Sequence, residues 1–152
     1  MLPTSLSLRG RALRLLSARE HSRAELERRL AGCEQEPGQL ARVLDELQAK
    51  GFINEQRVVE SVIHRRAPRV GAARIRQELQ GKGLEPGAVL EAIAGLKETE
   101  LERAREVWRK RFGNVPDDSA ERARQMRFLA SRGFDAEVIR RVMANAQHDE
   151  NR

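Results

Sequence analysis

The sequence predicts an all-α protein made of three tandem three-helix repeats, and three observations carry that expectation. Apolar residues recur at helical spacing along the whole chain, with no alternating segment long enough for a strand and only 3% aromatic residues. Residues that start and stop helices punctuate it at short intervals. The chain also repeats itself. Arg74 to Leu84 (RIRQELQGKGL) is echoed by Arg124 to Phe134 (RQMRFLASRGF), each closing on a basic residue, a glycine and an apolar residue, while Leu26 and Leu30 stand 49 places before Ile75 and Leu79. Repetition at that period argues for stacked units that expose an extended face, not for a domain built around one pocket. A unit of about 45 to 50 residues buries too little surface to stand alone, so the units must lean on one another.

The first unit, residues 1–52, opens with a helix from Leu6 to about Ala18. Ser22 begins a second, with Glu25 three places on to complete a capping box, Leu26 and Leu30 as its apolar stripe and Gly32 at its end. Pro37 opens a third, carrying Leu40, Val43, Leu44 and Leu47 and stopping at Lys50 and Gly51. In the second unit, residues 53–96, Asn54 caps a helix with Val58, Val59, Val62 and Ile63 on one side, before Pro68 disfavours helical geometry at Ala67. Gly71 starts a short helix with Ala72, Ile75 and Leu79 inward, ending at Gly83. Pro86 repeats the role of Pro37, and Val89, Leu90, Ile93 and Leu96 form the next stripe. The third unit, residues 97–147, begins with Leu101, Ala104, Trp108 and Phe112 on one helical face, closed by Gly113 and Asn114. The following NVPDD segment is the expected flexible joint. Asp118 with Glu121 then starts a helix carrying Met126 and Leu129, and a last helix carries Val138, Ile139, Val142 and Met143. Residues 148–152 are expected as a disordered polar tail.

Charge points to an acidic partner. The net charge is +6, yet its distribution matters more than its sum: Arg57 to Lys82 holds seven basic residues against two acidic ones, whereas Lys97 to Arg152 holds thirteen against eleven. A local excess of that kind steers association with polyanions or acidic protein grooves. Arg65, Arg66, Arg69, Arg74, Arg76 and Lys82 cluster around one helix junction, and guanidinium groups suit phosphates and carboxylates equally. Helical phase puts Arg66 among Val59, Val62 and Ile63 with its head snorkelling, while Arg74 projects away from Ile75 and Leu79. Charge and phase together select Arg65, Arg69, Arg74, Arg76 and Lys82 as contacts, with Arg124, Arg127 and Arg132 as a second patch.

The same residues speak against catalysis. His21, His64 and His148 lie far apart in sequence, no metal-spaced ligand set exists, and Cys33 has no neighbouring base. Gly81-Lys82-Gly83 lacks the upstream glycine, the following Ser or Thr and the preceding strand of a phosphate loop. No enzyme, metal or cofactor is expected. One cysteine permits no internal disulfide, which fits a reducing cytoplasm, and no apolar run approaches the roughly 20 residues that span a bilayer. Non-specific binding of single-stranded nucleic acid is the alternative, but it usually adds aromatic platforms and this chain has four Phe, one Trp and no Tyr.

INEQRVVES from Ile53 and GAARIRQELQGKGL from Gly71, with WRKRF at Trp108, RFLASRGF at Arg127 and SRAEL at Ser22, make the chain resemble the RecX family, bacterial regulators of the RecA recombinase. Val58 and Val59 stand where that family usually shows Phe-Ala, and Gly32-Cys33 replaces a Lys-Gly ending. The resemblance implies an elongated, curved array of three three-helix units that lies in the groove of the RecA nucleoprotein filament. There it would touch neighbouring protomers and restrain filament growth, ATP hydrolysis, strand exchange and coprotease activity. Separately, the positive charge leads to the expectation of a weak, non-specific DNA contact through phosphates. A monomer is expected.

Overall fold

Helix boundaries follow the side chains that cap them. In the computed structural model, which describes residues 6–151, the order is α1 (Leu8–Ala18), α2 (Arg23–Leu30), a 3-10 turn (Ala31–Cys33), α3 (Gln39–Ala49), α4 (Glu55–Arg66), α5 (Ala72–Gly81), α6 (Pro86–Arg111), α7 (Ser119–Ser131) and α8 (Ala136–Glu150). No strand occurs among the described residues. Ser22 and Glu25 form the capping box, each bonding the other's backbone N–H. Asn54 and Asp118 cap α4 and α7 by accepting from Arg57 N and Glu121 N at 2.9 and 2.8 Å. These are the groups that satisfy the otherwise orphaned first-turn donors.

Five expectations are corrected. Helix α1 begins at Leu8, because Ser7 caps it and leaves Leu6 outside; the part of the first unit before Leu6 lies outside the described residues. Pro37 sits in a turn and does not open α3, since Gly38 at φ 85° breaks the helical path between them. Leu90 faces solvent at 54% exposure, because its neighbour Val89 takes the inward place. The helices expected to carry Leu96 and Leu101 are one and not two: α6 runs 26 residues, about 39 Å at 1.5 Å per residue, with no proline or glycine to stop it between Leu96 and Leu101. The tail after Gln147 is helical as far as Glu150, and only Arg152 lies outside the described residues at that end.

Burial divides into three clusters along the chain. One joins Leu8, Ala12, Leu26, Leu30, Leu40, Leu44, Leu47 and Ile53 between α1, α2 and α3. A second runs from Val58 to Leu96 and a third from Ala104 to Met143. Helix α6 belongs to both of the latter, packing against α5 with its first half and against α7 and α8 with its second. Trp108 is the expected core anchor, and its indole N–H donates to Gln125 Oε1 at 2.8 Å, which satisfies a buried polar pair inside the third cluster.

The middle helices of the clusters, α2, α5 and α7, meet head to tail. At the first junction Ser22, at the head of α2, donates its hydroxyl to the Lys82 carbonyl at the tail of α5 at 2.6 Å, and Arg28 donates to the Gly81 carbonyl at 2.9 Å. At the second, the head of α5 meets the tail of α7: Gly71 N donates to Arg132 O at 2.7 Å and Ala73 N to Gly133 O at 3.3 Å. At the second junction backbone donors at a helix start thus face carbonyls at a helix end, so two sets of unsatisfied groups complement each other, while at the first the carbonyls are met by side chains. The echoed basic-glycine endings are the receiving ends of these contacts. Gly83 and Gly133 lie at φ 68° and 90°, where a side chain is disfavoured, and a Cβ on Gly133 would stand 2.8 Å from Arg74 N.

Candidate functional site

The cationic corner sits where α4 turns into α5. Val70 and Gly71 are buried there, so the turn is fixed and the arginines on either side of it are carried outward. Arg65 is exposed and weakly paired with Glu78, 3.4 Å away, with Arg66 on the other oxygen at 3.9 Å. An exposed pair of that length is worth less than about 1 kcal/mol and leaves Arg65 able to exchange partners. Arg69 and Arg76 are exposed and have no ion pair among the described residues. These three form the open part of the corner.

Arg74 and Lys82 behave differently from the expectation. Arg74 does project away from Ile75 and Leu79, but its Nε donates to Ser131 O at 3.1 Å and its stem covers Gly133, so it fastens the second junction. Lys82 is only 13% exposed and binds Glu25 Oε1 at 3.1 Å across the first junction. Glu25 also receives Arg19 at 3.0 Å and Ser22 N at 3.1 Å. Burial alone would raise the Glu25 carboxyl, yet the Ser22 N–H and the two cations outweigh it and hold the group at about 2. Both cations are consumed inside the array.

The second patch is likewise divided. Arg124 is held by both oxygens of Glu121, at 2.8 and 3.0 Å, and lies over the Phe112 ring at 5.3 Å. Arg132 lies over Phe128 at 4.9 Å. Phe112 and Phe128 meet edge to face with centroids 5.4 Å apart, and Arg111 stacks near both. Arg127 is exposed and without an ion pair among the described residues.

Two internal polar anchors are absent from the sequence reading. Glu100, 4% exposed, accepts from Ala72 N at 3.1 Å and so caps α5 from α6, supplying what Gly71 cannot. Arg103 donates to the Ala67 and Val70 carbonyls, each at 2.9 Å, and burial pushes its pKa down. The signal was available for Glu100: it continues the inward series of Ile93, Leu96, Ala104 and Trp108, where a carboxylate needs a buried donor.

Little in the arrangement can perform covalent chemistry. His21 is buried, with Nδ1 2.9 Å from the Arg19 carbonyl, and burial lowers its pKa; His64 and His148 are exposed elsewhere. Among the described residues no group of three or more His, Cys, Asp or Glu side chains could hold a metal, and no helix is long and apolar enough to cross a membrane. A cleft of about 600 Å³ between α6, Val115 and α8 is lined by Arg105, Arg109, Asp117, Asp149 and Glu150 beside Trp108, with no Ser, Thr, Cys, Lys or His among its lining residues.

Comparison with known proteins gives one consistent result. Residues 9–47 match the model described as RecX, first three-helix domain, and residues 98–143 match RecX, third three-helix domain. Regulatory protein RecX of Leptothrix cholodnii is 57% identical over 144 residues, covering 95% of this chain and 92% of that protein. Regulatory protein RecX of Herminiimonas arsenicoxydans is 44% identical over 151 residues, covering 99% and 100%. The crystal structure of RecX from Lactobacillus salivarius superposes with a TM-score of 0.77 at 17% identity, covering 92% of this chain and 94% of that one, a likeness of fold.

Proposed function

The chain belongs to the RecX family of regulatory proteins, and from that premise we propose that it restrains the RecA recombinase by lying along the groove of the RecA–DNA filament. Its action needs no reaction of its own. A ligand that prefers one filament state shifts the filament population by its differential affinity alone. Restrained growth, ATP hydrolysis, strand exchange and coprotease activity then follow from one binding event. The contacts we propose are Arg65, Arg69 and Arg76 at the α4–α5 corner and Arg127 on α7. Arg74, Lys82, Arg124 and Arg132 support them from internal pairs. The observation that carries this reading is the pair of exposed cations Arg69 and Arg76, which have no ion pair among the described residues in an array that pairs its other corner charges.

The test is RecA-dependent ATP hydrolysis on single-stranded DNA with this protein added at less than one copy per RecA protomer. Hydrolysis slows if the reading holds, and an unchanged rate at every ratio excludes it. Non-specific single-strand binding is favoured only by the Phe112–Phe128 pair, whose faces are already covered by Arg111, Arg124 and Arg132. That alternative requires tight binding to DNA without RecA, weakening steeply as salt rises.

A further inference from the structure

The tail of α2 differs from the tails of α5 and α7. Those turn on Gly83 and Gly133 and offer carbonyls to the head of another helix. At the matching place, 49 residues before Gly83, stands Glu34 at φ −72°, and its carboxylate accepts from Leu40 N at 3.1 Å. A 3-10 turn replaces the glycine turn, so this end is not shaped to receive a further head of the same kind.

What it carries instead is a cleft of about 240 Å³ between α1 and α2. Its floor is Leu6, Leu15, Leu30 and Cys33, and its rim is Arg11, Arg14 and Arg29. No carboxylate lines it. The three arginines are exposed and have no ion pair among the described residues; Arg11 Nε reaches only the Leu6 carbonyl at 3.3 Å. Leu6, 46% exposed, is one of three large apolar residues among the described ones that stand in solvent.

We propose that this cleft docks an acidic segment of another protein, which places one apolar side chain on the leucine floor between Asp or Glu residues that meet the arginine rim. Guanidinium groups beside an apolar floor bind carboxylates through paired, charge-assisted hydrogen bonds, and the low-dielectric floor strengthens them. A nucleic acid would leave the floor unused, since no aromatic side chain lines the cleft to stack a base. A second copy meeting it through the junction geometry is blocked by Glu34 in the glycine position. The cleft lies on the first unit, away from the α4–α5 corner. Two separate weak contacts on one array reinforce each other through effective concentration. The inference stands whether or not the partner at the corner is RecA.

Cys33, the only cysteine, is a half-buried part of the floor, so its reaction with an aromatic disulfide reagent reports occupancy. The probe is the peptide Asp-Glu-Leu-Phe-Glu-Asp, set against the same peptide with lysines for its acids and against a short oligothymidylate. We expect the acidic peptide at saturation to slow modification by about tenfold, and Arg14→Glu with Arg29→Glu to abolish that protection with the melting temperature unchanged. Absence of protection overturns the proposal, as does protection that survives the charge reversal. Equal protection by oligothymidylate reassigns the cleft to nucleic acid. Protection that grows with protein concentration alone, together with faster sedimentation, reassigns it to a second copy. A chain lacking residues 1–5 whose Cys33 becomes more reactive, and which only then binds the peptide, reassigns it to the chain's own start.

Discussion

At the first junction the head of α2 meets the tail of α5 through side chains, whereas at the second the head of α5 meets the tail of α7 through backbone with the Arg74 side chain added. Ser22, Arg28, Lys82 and Glu25 make the first contact, with Arg57 bonding Glu20 at 2.9 Å alongside. Gly71, Ala73 and Gly133 make the second, and α6 crosses it as one unbroken helix while Glu100 and Arg103 fasten the α4–α5 turn to it. The same head-to-tail device is therefore charge-held at one place and sterically locked at the other. A charge-held contact responds to pH and salt; a close glycine contact does not.

The largest effect belongs to the locked side. Gly133→Ala forces a methyl against Arg74 at a positive φ and should lower the unfolding free energy by about 3 kcal/mol in urea. Gly83→Ala meets only the Ala24 methyl, 2.7 Å from the new Cβ, and should cost less. Equal costs would erase the contrast between the two junctions.

Next comes the charge-held side. Lys82→Met leaves a mostly buried Glu25 with Arg19 as its remaining cation and should cost about 2 kcal/mol, less than loss of a partner in a dry interior. Its salt dependence should fall with it. A stability indifferent to salt in the parent chain would break the comparison.

Acid should act through the same group. Glu25 is held at about 2 in the folded chain against 4.5 when free, so it stabilises above pH 4.5 and that contribution, up to about 3 kcal/mol, is lost as pH falls from 4.5 toward 2. His21, whose pKa burial lowers, adds a loss of the same sign as pH drops below 6.5. Thermal melts across pH 7 to 2.5 should flatten below pH 4.5 in Glu25→Gln; identical slopes in parent and variant would rule Glu25 out.

Much of this was legible in the sequence because caps and repeats are local. Ser22 with Glu25, Asn54, Asp118 and the glycine endings each announce themselves within a few residues. The continuity of α6 was not, because Lys97 to Glu100 carries a polar run that resembles a linker while favouring helix. Nor was the fate of Arg74 and Lys82. Phase sends both outward from their own helix, but what lies outward is the neighbouring unit, 57 residues away in each case. Helical phase tells which side a charge leaves by, and only the stacking tells whether that side is solvent.

The smallest expected effect on stability carries the most about function. Arg69→Glu with Arg76→Glu touches no internal pair and should change stability by less than about 0.5 kcal/mol. The direct test is therefore RecA-dependent ATP hydrolysis with two variants side by side, at a temperature where both are folded. Arg69→Glu with Arg76→Glu should lose the slowing while melting like the parent, and Lys82→Met should melt earlier while still slowing hydrolysis. The opposite pattern, with inhibition surviving at the corner and vanishing with Lys82, would contradict the division between cations that build the array and cations that meet its partner.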